Sequence, residues 1–218
     1  MTLHDWPQST AEAKAIQLTL APRLDFDTPL DLASVATVAG VDVSVRDGLS
    51  TAAVVVLRRA DFAVLDSAVA RLPTPFPYVP GLLSFREIPV ILEAWDALTT
   101  RPDAVLVDGM GRIHPRRIGL ASHLGLWIDR PTVGVGKTHF LGAYQPPGIE
   151  RGAWSPLVDS DEVLGAVLRT RASVKPVYVS SGHRIDLDSA LALVMACTTR
   201  YRLPEPIRAA HGLAGSID

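Results

Sequence analysis

The chain has 218 residues, 48% hydrophobic and 20% charged, the composition of an ordinary globular protein with one sizeable core. A formal net charge of −2 argues against a general polyanion binder, and the single cysteine, Cys197, excludes an internal disulfide framework and a cysteine-built zinc site. No charged stretch backed by an apolar run opens the sequence and no segment is apolar enough to span a bilayer, so no membrane association and a cytoplasmic location are expected.

Ser9 followed three residues later by Glu12 has the pattern of a capping box, and Ala13, Ile16, Leu20 and Leu24 recur at helical spacing, which predicts a helix from about Thr10 to Leu24. Residues 25–37 read as a connector. Three strands are expected over Val38–Val45, Ala52–Leu57 and Phe62–Val69; connections this short imply an antiparallel meander. Ser84, Ile88, Ile91, Trp95 and Leu98 follow a helical stripe ended by Pro102. The remainder reads as strand Ala104–Val107, helix Ile118–Ile128, strand Thr132–Val135 and a looser stretch over 142–157. Then come helix Asp161–Arg171, strand Val177–Ser180 and helix Leu187–Thr199. Alternating buried strands and helices argue for parallel strands, so the expected α/β fold is a mixed sheet, a meander followed by parallel strands, with helices on both faces.

Several polar residues sit where the pattern does not require them. Asp42 interrupts the apolar strand AGVDVSV, where a carboxylate costs several kcal/mol unless it is hydrogen-bonded or holds a metal. Asp108 falls at the carboxyl end of a strand, the end at which open α/β sheets place ligands, although Asp-Gly is also a simple turn. Glu87 lies beside its helix's apolar stripe and so turns towards the sheet. Three carboxylates from separate elements would make an oxygen-rich site for Mg²⁺ or Mn²⁺ and for phosphodiester cleavage. Lys137 and His183 each follow a strand and are candidates for phosphate contact and for metal binding or proton transfer. GVGKTH is not a phosphate loop, because Pro131 stands where its first glycine belongs. Asp186 and Asp188 suit the cap and first turn of the last helix. His4, His139 and His211 show no partner pattern. Residues 112–130 carry Arg112, His114, Arg116, Arg117, His123 and Arg130 against one acid, Asp129. Pro77 and Pro80 stiffen a turn with Tyr78 at its tip, an aromatic wedge one short segment from Glu87.

In this arrangement the sequence resembles the endonuclease V, or deoxyinosine 3′-endonuclease, family. The matching stretches are GVDVS (40–44), PYVPGLLSFRE (77–87), VDGMGRIHPRRIGLASHLG (107–125), GVGKTHFLG (134–142), VYVSSGHRI (177–185) and DSALAL with YRLPEP (188–206). The resemblance implies a ribonuclease H-like fold in a single catalytic domain over 1–218, with 1–37 packing on it as helix and connector. It implies Mg²⁺-dependent hydrolysis, with Mn²⁺ able to substitute, of the second phosphodiester bond 3′ to a deaminated adenine, leaving 5′-phosphate ends. Deoxyinosine-containing DNA is the implied partner, with inosine-containing RNA for some members, and a monomer is expected. Asp42, Glu87 and Asp108 carry over as metal-site residues, with His183 nearby and Lys137 as catalytic support. The Pro77–Pro80 turn, with Val79 in it, carries over as a strand-separating wedge, Tyr78 supplying the ring. Gly81, Leu83, Gly109 and Gly111 carry over to the pocket for a flipped base, and His114 and Arg116 to the nucleic-acid backbone. Val45 departs from a usual aromatic, Gly136 from Ala, Asp186 from Ser, and His211 stands where Asp is usual. The competing readings are a nucleic-acid-binding protein weak in catalysis and a different ribonuclease H-like nuclease, such as a junction resolvase.

Overall fold

A computed structural model describes residues 2–215. Its centre is an eight-stranded sheet: β1 (Thr37–Arg46), β2 (Leu49–Arg58), β3 (Val64–Pro73), β4 (Ala104–Val107), β5 (Thr132–Gly136), β6 (Trp154–Asp159), β7 (Glu162–Leu168) and β8 (Val177–His183). Their order across the sheet is β3-β2-β1-β4-β5-β8-β7-β6. The helices are α1 (Thr10–Leu20), α2 (Leu83–Asp96), α3 (Leu120–Ile128), α4 (Leu187–Ala196) and α5 (Glu205–Gly215). The expected meander is present, since β1–β2 and β2–β3 pair antiparallel. β1, β4 and β5 are parallel.

Beyond β5 the direction reverses. β8 runs antiparallel to β5, and β7 and β6 continue antiparallel to the edge. The parallel portion is therefore three strands, shorter than expected. The helix expected over Asp161–Arg171 is strand β7. Ser160 and Asp161, with φ of 52° and 67°, form the two-residue left-handed turn that suits a hairpin, and Asp159 pairs with Glu162 across it. Leu164–Leu168 is buried on both faces, so neither period shows in the sequence. Gly165 also packs against the β8 backbone, where an added Cβ would stand 2.4 Å from the Val179 carbonyl oxygen. α1 ends at Leu20 in a short 3₁₀ turn over Ala21–Arg23, and Phe62 lies in a turn with φ of 58° before β3.

Strand alternation divides the core. Ala39, Val41, Val105 and Val107 pack with Ile88, Ile91, Leu120 and Leu124 under α2 and α3. Val38, Leu106, Val133 and Val179 pack with Leu191, Val194 and Ile207 under α4 and α5. Helices thus cover both faces, and Asp42, in phase with Val38, faces the α5 side. α5 is not among the elements expected from the sequence; Pro204 precedes it and Pro206 stands in its first turn. Proline is tolerated in a helix's first turn, where its missing N–H is not needed. Asp186 caps α4 by accepting from the Ser189 N–H.

Candidate active site

β1 and β4 run side by side, with Val41 opposite Val107, so Asp42 and Asp108 emerge at the same end of the sheet. The Asp108 N–H donates to the Val41 carbonyl at 3.1 Å, which fixes that exit. Lys137 follows β5 at the same end and pairs its Nζ with Asp108 Oδ2. α2 brings Glu87 beside both aspartates, near enough for their charges to act on it. Asp42 Oδ2 is 2.9 Å from His211 Nδ1 on α5.

This concentration of negative charge has a measurable cost. Burial first and the charge of Asp42 second push the Glu87 carboxyl up to about 8; Arg86 opposes them, and Asp108 adds the least. Burial also raises Asp108, with Lys137 opposing. Since the folded-state value of Glu87 exceeds its ordinary 4.5, the native protein holds the extra proton between those two values. The resulting stability is complete below the ordinary value and is lost as pH rises towards 8, with a limiting slope of about 1.4 kcal/mol per pH unit. Urea titrations in EDTA at pH 5.5 and 7.5 test this. The wild type should lose stability between the two relative to Glu87→Gln, and parallel pH dependence in the two proteins would refute it.

Next to the carboxylates lies a cavity of about 390 Å³ lined by Tyr78, Val79, Pro80, Gly81, Leu83, Gly109 and His114, with Asp108 and Lys137 in its wall. Tyr78 is 66% exposed, and the Arg86 guanidinium sits 5.8 Å from its ring centroid. The turn behind Tyr78 is held at one atom. The Gly81 carbonyl oxygen accepts from Gln17 Nε2 at 3.1 Å, from His114 Nε2 at 2.9 Å and from Arg116 Nη2 at 2.9 Å. Gly81 has φ of 79°, a left-handed conformation natural to glycine.

Other expected residues lie elsewhere. His183 sits opposite Thr132, at the start of β5, hence at the far end of the sheet from Lys137. It accepts from the Asp25 N–H at 3.2 Å and approaches Asp129 at 3.9 Å. Because β8 is antiparallel rather than parallel, its C-terminal end is the wrong end for the site. Gly111 does not line the cavity; a Cβ there would lie 2.2 Å from the Ser181 carbonyl oxygen, so close packing on β8 requires the glycine. Pro77 borders a second, separate hollow with Phe76 and Arg86. The basic stretch over 112–130 is largely engaged internally: Arg112 pairs with Glu162, Arg117 with Glu162 and Asp159, and His123 is buried.

The family model described as Endonuclease V matches residues 19–212. The chain belongs to the endonuclease V family. It is 52% identical to the endonuclease V of Roseiflexus sp. strain RS-1 over 212 residues, covering 96% of this chain and 93% of that protein. The crystal structure of endonuclease V from Streptomyces avermitilis superposes with a TM-score of 0.94 at 46% identity, covering 97% of this chain and 94% of that one. Endonuclease V of Ciona intestinalis, solved with a 24mer DNA containing an inosine followed by a ribo-adenosine, gives a TM-score of 0.82 at 27% identity, with 95% and 96% covered. The enzyme is thus a nuclease with a ribonuclease H-like mixed sheet. His211 is the site residue that sequence reasoning left unassigned. Its signal was the departure from the resemblance noted above, an imidazole where that resemblance leads one to expect an acid.

Proposed function

We propose that the enzyme hydrolyses the second phosphodiester bond 3′ to a deaminated purine, with deoxyinosine in DNA as first substrate and inosine in RNA as second, in nucleic-acid repair. The observation that carries this reading is the shared wall: Asp108 and Lys137 belong both to the carboxylate cluster and to the cavity beside the exposed Tyr78. A base lodged in that cavity keeps its own backbone next to the cluster. The inosine-containing DNA bound by the Ciona relative supports the same assignment. Tyr78, on its proline-stiffened turn, acts as the wedge, and flipping costs only a few kcal/mol, least at a mismatched base.

The donor set suits a divalent cation. Asp42, Glu87 and Asp108 supply carboxylate oxygens in a partly buried cluster, where burial first and the neighbouring carboxylates second raise the Glu87 carboxyl to about 8. Among the described residues no three His, Cys, Asp or Glu side chains already form a ligand shell. Asp108 is engaged by Lys137 and Asp42 by His211, bonds that loading would redirect. Asp42, Glu87 and Asp108 would hold Mg²⁺, or Mn²⁺ in its place, with His211 in reach of the same oxygens. Such a cation neutralises charge on the phosphate and activates water at neutral pH. Lys137 contributes a fixed ammonium beside Asp108, and the Gly81 turn keeps the base pocket aligned with the cluster.

A labelled duplex with one deoxyinosine, incubated with Mg²⁺ beside an undamaged control, tests the reading. A single nick one nucleotide beyond the lesion, in the damaged duplex alone, is expected. No nick, or equal nicking of both duplexes, overturns it.

A further inference from the structure

Ser84, in the first turn of α2, lines the same cavity and is otherwise buried. Its Oγ makes one hydrogen bond among the described residues, at 3.0 Å to His123 Nδ1. His123 is fully buried, and its Nε2 lies 2.8 Å from Nε2 of His4. His4 Nδ1 in turn lies 2.8 Å from the Asp5 backbone carbonyl. His4 is also fixed from the side, with ring centroids 5.0 Å from Trp6 and 5.1 Å from Trp127.

The last bond sets the direction of the whole series. A carbonyl only accepts, so His4 Nδ1 carries the proton. Burial lowers the pKa of both imidazoles, which keeps them neutral, and His4 Nε2 is therefore a bare acceptor. His123 must donate from Nε2, which leaves its Nδ1 as an acceptor. That nitrogen takes the Ser84 hydroxyl proton. With its only hydrogen committed to the protein interior, Ser84 Oγ offers the cavity lone pairs alone.

We propose that the His4–His123 pair fixes Ser84 as an obligate hydrogen-bond acceptor in the base pocket, selecting 6-oxopurines, which carry a proton on N1, over purines whose N1 is a lone pair. This rests on the reading of the cavity as a pocket for a flipped base. Deamination of adenine converts N1 from acceptor to donor, so Ser84 reads the change that defines the lesion. With an unconverted base, two lone pairs face each other in a buried site, and both lose hydration without a partner. Sites built around one substrate hydrogen bond reject analogues lacking it far better than apolar pockets reject a missing methylene. Ser84 would touch the base; His123 and His4 are positioning residues that act through it.

The test compares cleavage of duplexes carrying deoxyinosine or 2′-deoxynebularine, whose N1 is unprotonated, in wild type, Ser84→Ala and His4→Phe. Differences due to the 6-oxo group are common to all three proteins, so the change in ratio isolates N1. The kcat/KM ratio of deoxyinosine to deoxynebularine should fall about tenfold in each variant, the energy of one hydrogen bond, through KM for deoxyinosine. His4→Phe keeps the ring packing beside Trp6 and Trp127 yet frees His123 to take either tautomer, and it stands clear of the pocket should Ser84→Ala fold poorly. A merely structural role would depress both substrates equally and leave the ratio unchanged, which would overturn the proposal. A wild type that does not prefer deoxyinosine over undamaged adenine would instead overturn the underlying reading of the pocket.

Discussion

Asp108→Ala should lower strand cleavage by about three orders of magnitude, the scale expected when a group that organises charge at a buried phosphoryl site is removed. Asp108 is the point where the two halves of the site meet: its Oδ2 pairs with Lys137, its charge acts on Glu87, and it lines the cavity. Asp42 and Glu87 already belong to the same cluster, so the variant keeps two of the three carboxylates and leaves Lys137 without its carboxylate partner. The fold should not suffer in proportion. Burial raises the Asp108 carboxyl, so its ionised form is held at a cost, and its removal relieves repulsion on Glu87. The Lys137 side chain it leaves behind is 36% exposed and stays hydrated. Melting temperature and cleavage rate measured on the same preparation therefore separate the roles. Retained turnover would refute the site assignment, and a large fall in both quantities would make Asp108 a structural residue. Asp108→Asn, which keeps the shape and loses the charge, should behave like alanine in cleavage.

What the sequence made legible follows from what local chemistry can encode. A carboxylate inside AGVDVSV or at the end of AVLV is anomalous in its own element, so Asp42 and Asp108 stood out, and β4 was found at its observed bounds. Strand direction is a property of pairs. Nothing within VYVSSGH says whether it lies parallel to β5, and the reversal before it stayed hidden because β6 begins inside the stretch expected to be loose and β7 is a largely doubly buried run. That one reversal explains why His183 was expected at the site and lies at the opposite end. Charge counting meets a related limit: over 112–130 it cannot reveal that Glu162 and Asp159, 42 to 50 residues later, pair with Arg112 and Arg117. His211 and His4 act through partners 169 and 119 residues away.

Gly40→Ala should be among the most damaging single-methyl changes in the protein. A Cβ at position 40 would lie 1.8 Å from the Pro206 carbonyl oxygen and 2.7 Å from the Ile207 nitrogen, all backbone, so no side chain can swing aside. Either β1 bends or α5 lifts. Overpacking of this kind costs about 3 kcal/mol or more, which for a chain of this length lowers the melting temperature by roughly 6–12 °C. The same displacement should reach the chemistry. Ile207 and Ala210 seat α5 on the sheet, and His211, one turn beyond Ile207, meets Asp42 at 2.9 Å only while that seat holds. Gly212→Ala is the matched control: it adds a methyl to the same helix with nothing within 4 Å, and should be neutral or slightly stabilising. If Gly40→Ala melts within about 2 °C of wild type and cleaves normally, the close approach of α5 to β1 is not what holds His211 against Asp42. If it loses stability and cleavage together while Gly212→Ala keeps both, the absence of a side chain at Gly40 is what lets a C-terminal helix reach a carboxylate on the first strand.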